Sequence, residues 1–228
     1  MDFFAYHSDI LAEFPSIQAG VIHADGLENR TSPDDLTSRY RSEQKSVRQR
    51  LADTPLADLP SISAWRRAFS RFGAKPTQYR NASEALLRRL TKQGDIPSIS
   101  TLVDLGNLVS IRHAVPVAVI DLDGISGRIT VRYANGSEPF DDLGSSETAH
   151  PEPGEVVFTD DAGRVHARRW CWRQSAQSAT GPDTTRCLFV IEALHDNAAE
   201  AVDRATDDLM DLLSLYQPDA DLTRWRLP

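Results

Sequence analysis

The hydrophobic period of this chain changes at Pro116, and that change limits the fold more than any single motif. Upstream, the apolar spacing is mainly helical. Ser32-Pro33-Asp34-Asp35 places a proline near the first helical position and acids in the first turn, predicting a helix that runs to about Leu51. A short helix is expected over 63–73, stopped by Gly73, and another over 82–92, opened by Asn81-x-x-Glu84 and closed at Gly94. In 98–113, Leu102, Leu105 and Val109 fall near one helical face. Downstream, PVAVIDLDG reads as an apolar strand ending in an Asp-Gly turn, and 127–134 alternates with period two. The stretch 154–173 reads as a hairpin turning at Asp160–Gly163, and 184–194 as a buried strand. One earlier strand is expected within 14–27, and an amphipathic helix over 197–216, capped by Asn197-x-x-Glu200, closes the chain. Helices first, strands later and a closing helix predict the α+β class, and 228 residues fit one domain over 1–228.

Composition narrows the function classes. No apolar run approaches the roughly 18–20 residues that span a bilayer, so a membrane partner is not expected. The N-terminal stretch lacks a basic segment ahead of an apolar one, and the two cysteines, Cys171 and Cys187, fit reduced thiols; both point to a cytoplasmic protein. The six histidines and two cysteines match no zinc spacing, so neither a metal nor a cofactor is expected. The net charge of −8 is unevenly spread: from Arg39 to Lys92 there are thirteen Lys/Arg against four acids, a local +9 that leaves −17 elsewhere. Solvated helical faces or a surface for an anionic partner both account for this.

No P-loop, GxGxxG or nucleophile elbow is present. Ser83 beside Glu84 makes no triad and reads as a cap hydroxyl. Asp104 and Asn107, at i and i+3, form a polar notch that either faces water or lines a site. Glu192 stands in the apolar run LFVIEAL, with Phe189 or Ile191 as expected neighbours. A carboxylate buried there must be paired, for instance with Arg173, or serve function. In RRWCWR, alternation sets Arg168, Trp170 and Trp172 on one face and Arg169, Cys171 and Arg173 on the other. The tryptophans either fill a core or wall a pocket.

Taken in order, several pieces resemble the B3/B4 domain of the phenylalanyl-tRNA synthetase beta subunit in a stand-alone form. They are Phe72-Gly73-x-x-Pro76, Tyr79-Arg80-x-x-Ser83-Glu84-Ala85-Leu86, and Leu102-Val103-Asp104-x-x-Asn107-x-x-Ser110. Pro116–Asp121 with Asp123, Ile125 and Gly127, then Ile129-x-Val131-Arg132-x-Ala134, continue the series. Pro153-Gly154-Glu155, Trp170-x-Trp172-Arg173 and Leu188–Glu192 complete it. The resemblance covers about 61–194.

It implies a mixed or antiparallel sheet flanked by helices and an editing hydrolase that cleaves the ester of mischarged tRNA. It also implies a site without metal or covalent intermediate, and the tRNA acceptor end as partner, with no obligate protein partner evident. By the same resemblance, Glu192 and Asn107 would be catalytic. Asp104, Glu84, Ser83, Ala118, Asp121, Trp172 and Arg173 would bind the substrate, and Lys75, Tyr79, Arg80, Arg88 and Arg89 would meet the tRNA. One departure stands out: the family carries a histidine within the segment matching Pro116–Asp121, and this chain has Ala118 there. The edited residue is therefore open between tyrosine on the phenylalanine tRNA and an arginine mimic such as canavanine on the arginine tRNA. A tRNA or amino-acid binding module without hydrolysis is the alternative.

Overall fold

The computed structural model describes residues 3–145 and 147–228. The chain opens with β1 (Phe4–Tyr6), α1 (Ser8–Glu13) and β2 (Gln18–Asp25). Four helices follow: α2 (Asp34–Arg50), α3 (Pro60–Arg71), α4 (Ala82–Gln93) and α5 (Thr101–His113). The strand-rich half holds β3 (Val117–Asp121), β4 (Ile129–Tyr133), β5 (Phe140–Asp141) and β6 (Thr148–Ala149). It continues with β7 (Val156–Thr159), β8 (Val165–Arg168), β9 (Arg173–Gln174) and β10 (Arg186–Ala193). α6 (Ala198–Tyr216) and β11 (Asp221–Leu227) end the described chain.

The fold is α+β, built on two principal sheets. One is antiparallel with order β11-β2-β10-β3; the other has order β1-β4-β7-β8-β9, with only the β1–β4 pair parallel. β10 is central. Its Cys187, Phe189 and Ile191 join the larger core with α2, α5 and α6, whereas Leu188 and Val190 face the second sheet. Burial on both faces explains why this strand reads as an unbroken apolar run. α5 lies close to β3: a Cβ on Gly106 would come within 2.7 Å of Val119 Cγ2.

Most local expectations match the structure for their stated reasons. Asn81 Oδ1 accepts from the Glu84 backbone N–H at 2.9 Å, and Gly94, at φ +91°, closes α4. Three expectations need correction. A strand, β11, follows α6; its residues alternate only weakly in burial because it is an edge strand whose Arg224 and Arg226 pair with Asp207 and Asp203 on α6. Asn197 makes no side-chain cap to α6, so the expected capping box does not form. β8 ends at Arg168, and the alternation expected through Arg173 is broken by left-handed backbone at Arg169 (φ +44°) and Trp170 (φ +62°). Among the described residues, no helix is long and apolar enough to cross a membrane.

Candidate functional site around Glu192

Period two in β10 sets Glu192 on the face of Leu188 and Val190, not of Phe189 and Ile191, and so between the two sheets. The residue is 2% exposed. Its Oε1 accepts a hydrogen bond from the Tyr6 hydroxyl at 2.5 Å and from the Trp170 indole N–H at 2.8 Å. The expected partner Arg173 is committed elsewhere, 2.5 Å from Asp142 Oδ2. Burial without a countercharge pushes the Glu192 pKa up to about 7, against the downward pull of the two hydrogen bonds. Burial, with the Glu192 charge adding to it, also raises the Tyr6 hydroxyl and the Cys171 thiol well above their ordinary values.

The indole reaches Glu192 because of the strained turn after β8. Two successive non-glycine residues in the left-handed region cost about 1–3 kcal/mol each, and such strain concentrates at functional sites. Several contacts hold the turn. Trp170 N–H donates to Val156 O at 2.6 Å, and Glu155 accepts the Arg169 N–H and both arms of Arg168 at 2.9 Å. The indole then packs edge-on to Trp65 and Phe14, with centroids 5.1 and 5.0 Å apart.

Glu192 borders a cavity of about 80 Å³ between the sheets, shared with Ala118, His166, Trp170, Trp172 and Arg173. That is room for several waters. Trp172 carries the surface outward. Tyr79 meets it edge-on at 5.0 Å, and the Arg169 guanidinium lies 3.8 Å from the Tyr79 ring centre. Beyond Tyr79 a shallow depression of about 390 Å³ includes Lys75 and Gln78. An open cleft of about 820 Å³ lies where the chain leaves β10, and Arg50, Arg67, Arg112, Arg204 and His195 outnumber Asp58 and Asp196 on its wall.

The family model for the B3/4 domain matches residues 64–212, more than half of the chain. The chain belongs to the B3/4 domain family. Curated relatives include the phenylalanine–tRNA ligase beta subunits of Chromobacterium violaceum and Ruegeria pomeroyi. The first is 32% identical over 100 residues, covering 42% of this chain and 13% of the relative. The second is 31% identical over 110 residues, covering 46% and 12%. The match thus spans about an eighth of either ligase subunit. A crystal structure of an N-terminal fragment of the Pyrococcus horikoshii phenylalanyl-tRNA synthetase beta subunit aligns with a TM-score of 0.48 at 12% identity. That alignment covers 99% of this chain and 54% of the fragment.

Within this B3/4 domain, the residues singled out from sequence separate into two groups. Glu192, Ala118, Trp172 and Arg173 border one cavity, with Tyr79 at its rim. The others expected at the substrate do not line it. Asp104 is fully buried on α5, where it accepts from Ser32 Oγ at 2.6 Å, from Ser98 Oγ and from the Ile99 N–H at 2.9 Å. Asn107, half-buried on the same helix, also stands away from the cavity, because α5 packs on the opposite face of β3 and β10. Glu84 is buried and gripped by Arg66, with Arg80 3.7 Å away. Ser83 donates to the capping Asn81 at 2.7 Å, and Asp121 accepts from Thr184 at 2.5 Å. Arg80 donates to Thr77 O and Arg89 to Asp95 O; Arg88 is half-buried on α4. Sequence reasoning missed Tyr6, Trp170 as a Glu192 donor, and His166. Tyr6 lies in a three-residue strand too short to show a period, and the other two depend on a turn and a bulge.

Proposed function

We propose that this B3/4 domain is a trans-acting deacylase that hydrolyses the ester of mischarged aminoacyl-tRNA. The carrying observation is Glu192, a buried carboxylate with no countercharge, oriented by two donors at a cavity, with its pKa at about 7. Such a group passes between acid and base forms near neutral pH, as a general base must. The ionised carboxylate takes a proton from water while the water oxygen attacks the ester carbonyl. The tetrahedral intermediate then breaks its bond to the ribose oxygen, which leaves with the proton that Glu192 returns. The products are a free amino acid and a tRNA with a free terminal hydroxyl. No covalent link to the protein forms.

tRNA as partner is supported by the ligase subunits to which the chain is similar and by the segregated positive charge. In this reading Lys75 and Tyr79 meet the acceptor end beside Trp172, and the arginine-lined cleft after β10 meets phosphodiesters further along. A guanidine-like side chain would need a carboxylate to receive it, and Glu192, Asp104 and Glu84 are the candidates. Glu84 and Asp104 already have their partners, which leaves Glu192 alone for any charged contact. The test is a panel of tRNAs mischarged with different amino acids. Release of at least one amino acid by the wild-type protein and not by Glu192→Gln supports the reading. tRNA binding with no release across the panel would make the protein a binding module instead.

A further inference from the structure

Helix α4 runs from the Glu192 cavity to a cationic groove on the helical side of the molecule. Its first residue, Ala82, borders the cavity, and Leu87, in its middle, borders the open cleft after β10. Thr91, in its last turn, borders a groove of about 500 Å³ against α2, lined also by Lys45, Arg48 and Gln49. Leu51, at the end of α2, stands on the wall of both cleft and groove, so the two adjoin. At 1.5 Å per residue, Ala82 and Thr91 lie about 14 Å apart along the helix.

The groove is fixed in place and its charge is uncompensated. Gln44 on α2 exchanges two hydrogen bonds with the main chain of Ile96, just after α4, at 2.9 and 2.8 Å. The groove wall carries two cations and no acid. Arg48 donates to Gly94 O at 3.3 Å, Arg50 to the carbonyls of Ile111 and Arg112 at 3.2 and 2.9 Å, and Arg67 to Ser63 Oγ at 2.9 Å. These bonds position the guanidinium groups without neutralising them, and all three residues are exposed, as is Lys45. Cations in a last turn complement a helix dipole, but Lys45 precedes the last turn of α2 and Arg67 lies on α3, so the cluster exceeds that role. Moreover, α2 ends before residues 64–212, which match the family model, so Lys45, Arg48 and Arg50 lie outside the matched segment.

We propose that the groove between α2 and α4, continued by the cleft, is a track for the sugar–phosphate backbone of the tRNA acceptor stem. This rests on the deacylase reading for where the RNA ends, at Glu192. At roughly 3.4 Å per nucleotide along a stacked strand, 14 Å sets the groove about four nucleotides from the ester. The groove has no aromatic wall on which a base could stack, which favours phosphate contact over base readout. Helix α2 thereby adds a nucleic-acid contact that the matched domain segment does not contain.

The test replaces both groove cations together, Lys45→Gln with Arg48→Gln, and measures affinity for uncharged tRNA by fluorescence anisotropy across a salt series. Both side chains are exposed, so the fold should survive. The slope of log affinity against log salt is expected to fall by about 1.4–1.8, the share of two phosphate contacts. Arg226→Gln, which removes a cation paired with Asp203 at the β11 edge, is the control and should leave the slope as it is. An unchanged slope in the double variant, or an equal fall in the control, overturns the track. A slope that falls as expected in a protein that releases no amino acid would leave the track standing and remove the deacylase reading. Release of amino acid by the wild type, with an unchanged slope in the double variant, would do the reverse.

Discussion

The Tyr6 hydroxyl donates to Glu192 Oε1 at 2.5 Å, joining residues 186 positions apart. Strand β1 thus supplies the side chain that orients the carboxylate from the opposite sheet, and the Trp170 indole supplies the other donor. Removing one donor is expected to disorient the carboxylate without unfolding the protein. Tyr6→Phe should lower kcat by about tenfold, a general-base contribution being about 10²–10⁴ in all. Because the Tyr6 hydrogen bond pulls the Glu192 pKa down, its loss should move the acid limb of the pH–rate profile to higher pH. A pH–rate profile of the variant checks both; an unmoved acid limb would mean that Tyr6 does not tune Glu192.

Glu192 should also carry a stability cost. Its folded-state pKa of about 7 lies above the ordinary carboxyl value of 4.5, so between those values the folded protein holds more proton than the unfolded chain. Stability then falls as pH rises through that window and is level above it. Glu192→Gln keeps an oxygen acceptor for Tyr6 and Trp170 while removing the charge. It is expected to stabilise the protein by about 1–3 kcal/mol at pH 8 and to flatten the decline from pH 4.5 to 7. Urea unfolding of both proteins at several pH values measures this. A variant less stable than wild type at pH 8 would contradict an unpaired buried charge.

Much of this was legible in the sequence, and the exceptions have physical causes. The helices α4 and α5, strand β10 and the hairpin at Asp160–Gly163 follow from period, caps and turn residues, which are local. Glu192 stood out because a carboxylate in an apolar run has few explanations. Its partners could not be read, since Tyr6 and Trp170 reach it through sheet pairing and a left-handed turn. Asp104 looked like part of a site because a polar side chain on an apolar helix has the same pattern whether it meets substrate or neighbouring loops. The structure gives it Ser32, Ser98 and the Ile99 N–H.

Glu84 provides a contrast to Glu192. It is as deeply buried, but Arg66 grips it with hydrogen bonds from Nε at 3.2 Å and Nη2 at 2.6 Å. Glu84→Gln is expected to lose about 1–3 kcal/mol of stability, because the buried amide replaces the charge-assisted bonds that Glu84 makes to the partly exposed Arg66 guanidinium. The folded variant should keep wild-type hydrolysis of a mischarged tRNA. A catalytic loss larger than the loss of folded protein would return Glu84 to the substrate.

Salt dependence separates phosphate contacts from the chemistry. Lys75 and Arg67 are exposed, one beside Tyr79 and one in the cleft after β10. Each of Lys75→Ala and Arg67→Ala is expected to reduce the slope of log affinity for tRNA against log salt by about 0.7–0.9 while leaving the single-turnover rate at saturation unchanged. Fluorescence anisotropy with labelled tRNA across a salt series reads the slope. An unaltered slope in both would place the tRNA on another face.

Glu192 is proposed as the base for ester hydrolysis. Single-turnover release of amino acid from a mischarged tRNA, followed across pH for wild type and Glu192→Gln, tests it most directly. The wild-type rate should rise through pH 7 and level above it. The folded variant, still binding tRNA, should be slower by about 10² or more at every pH above 7. A Glu192→Gln protein that releases amino acid at the wild-type rate would contradict it.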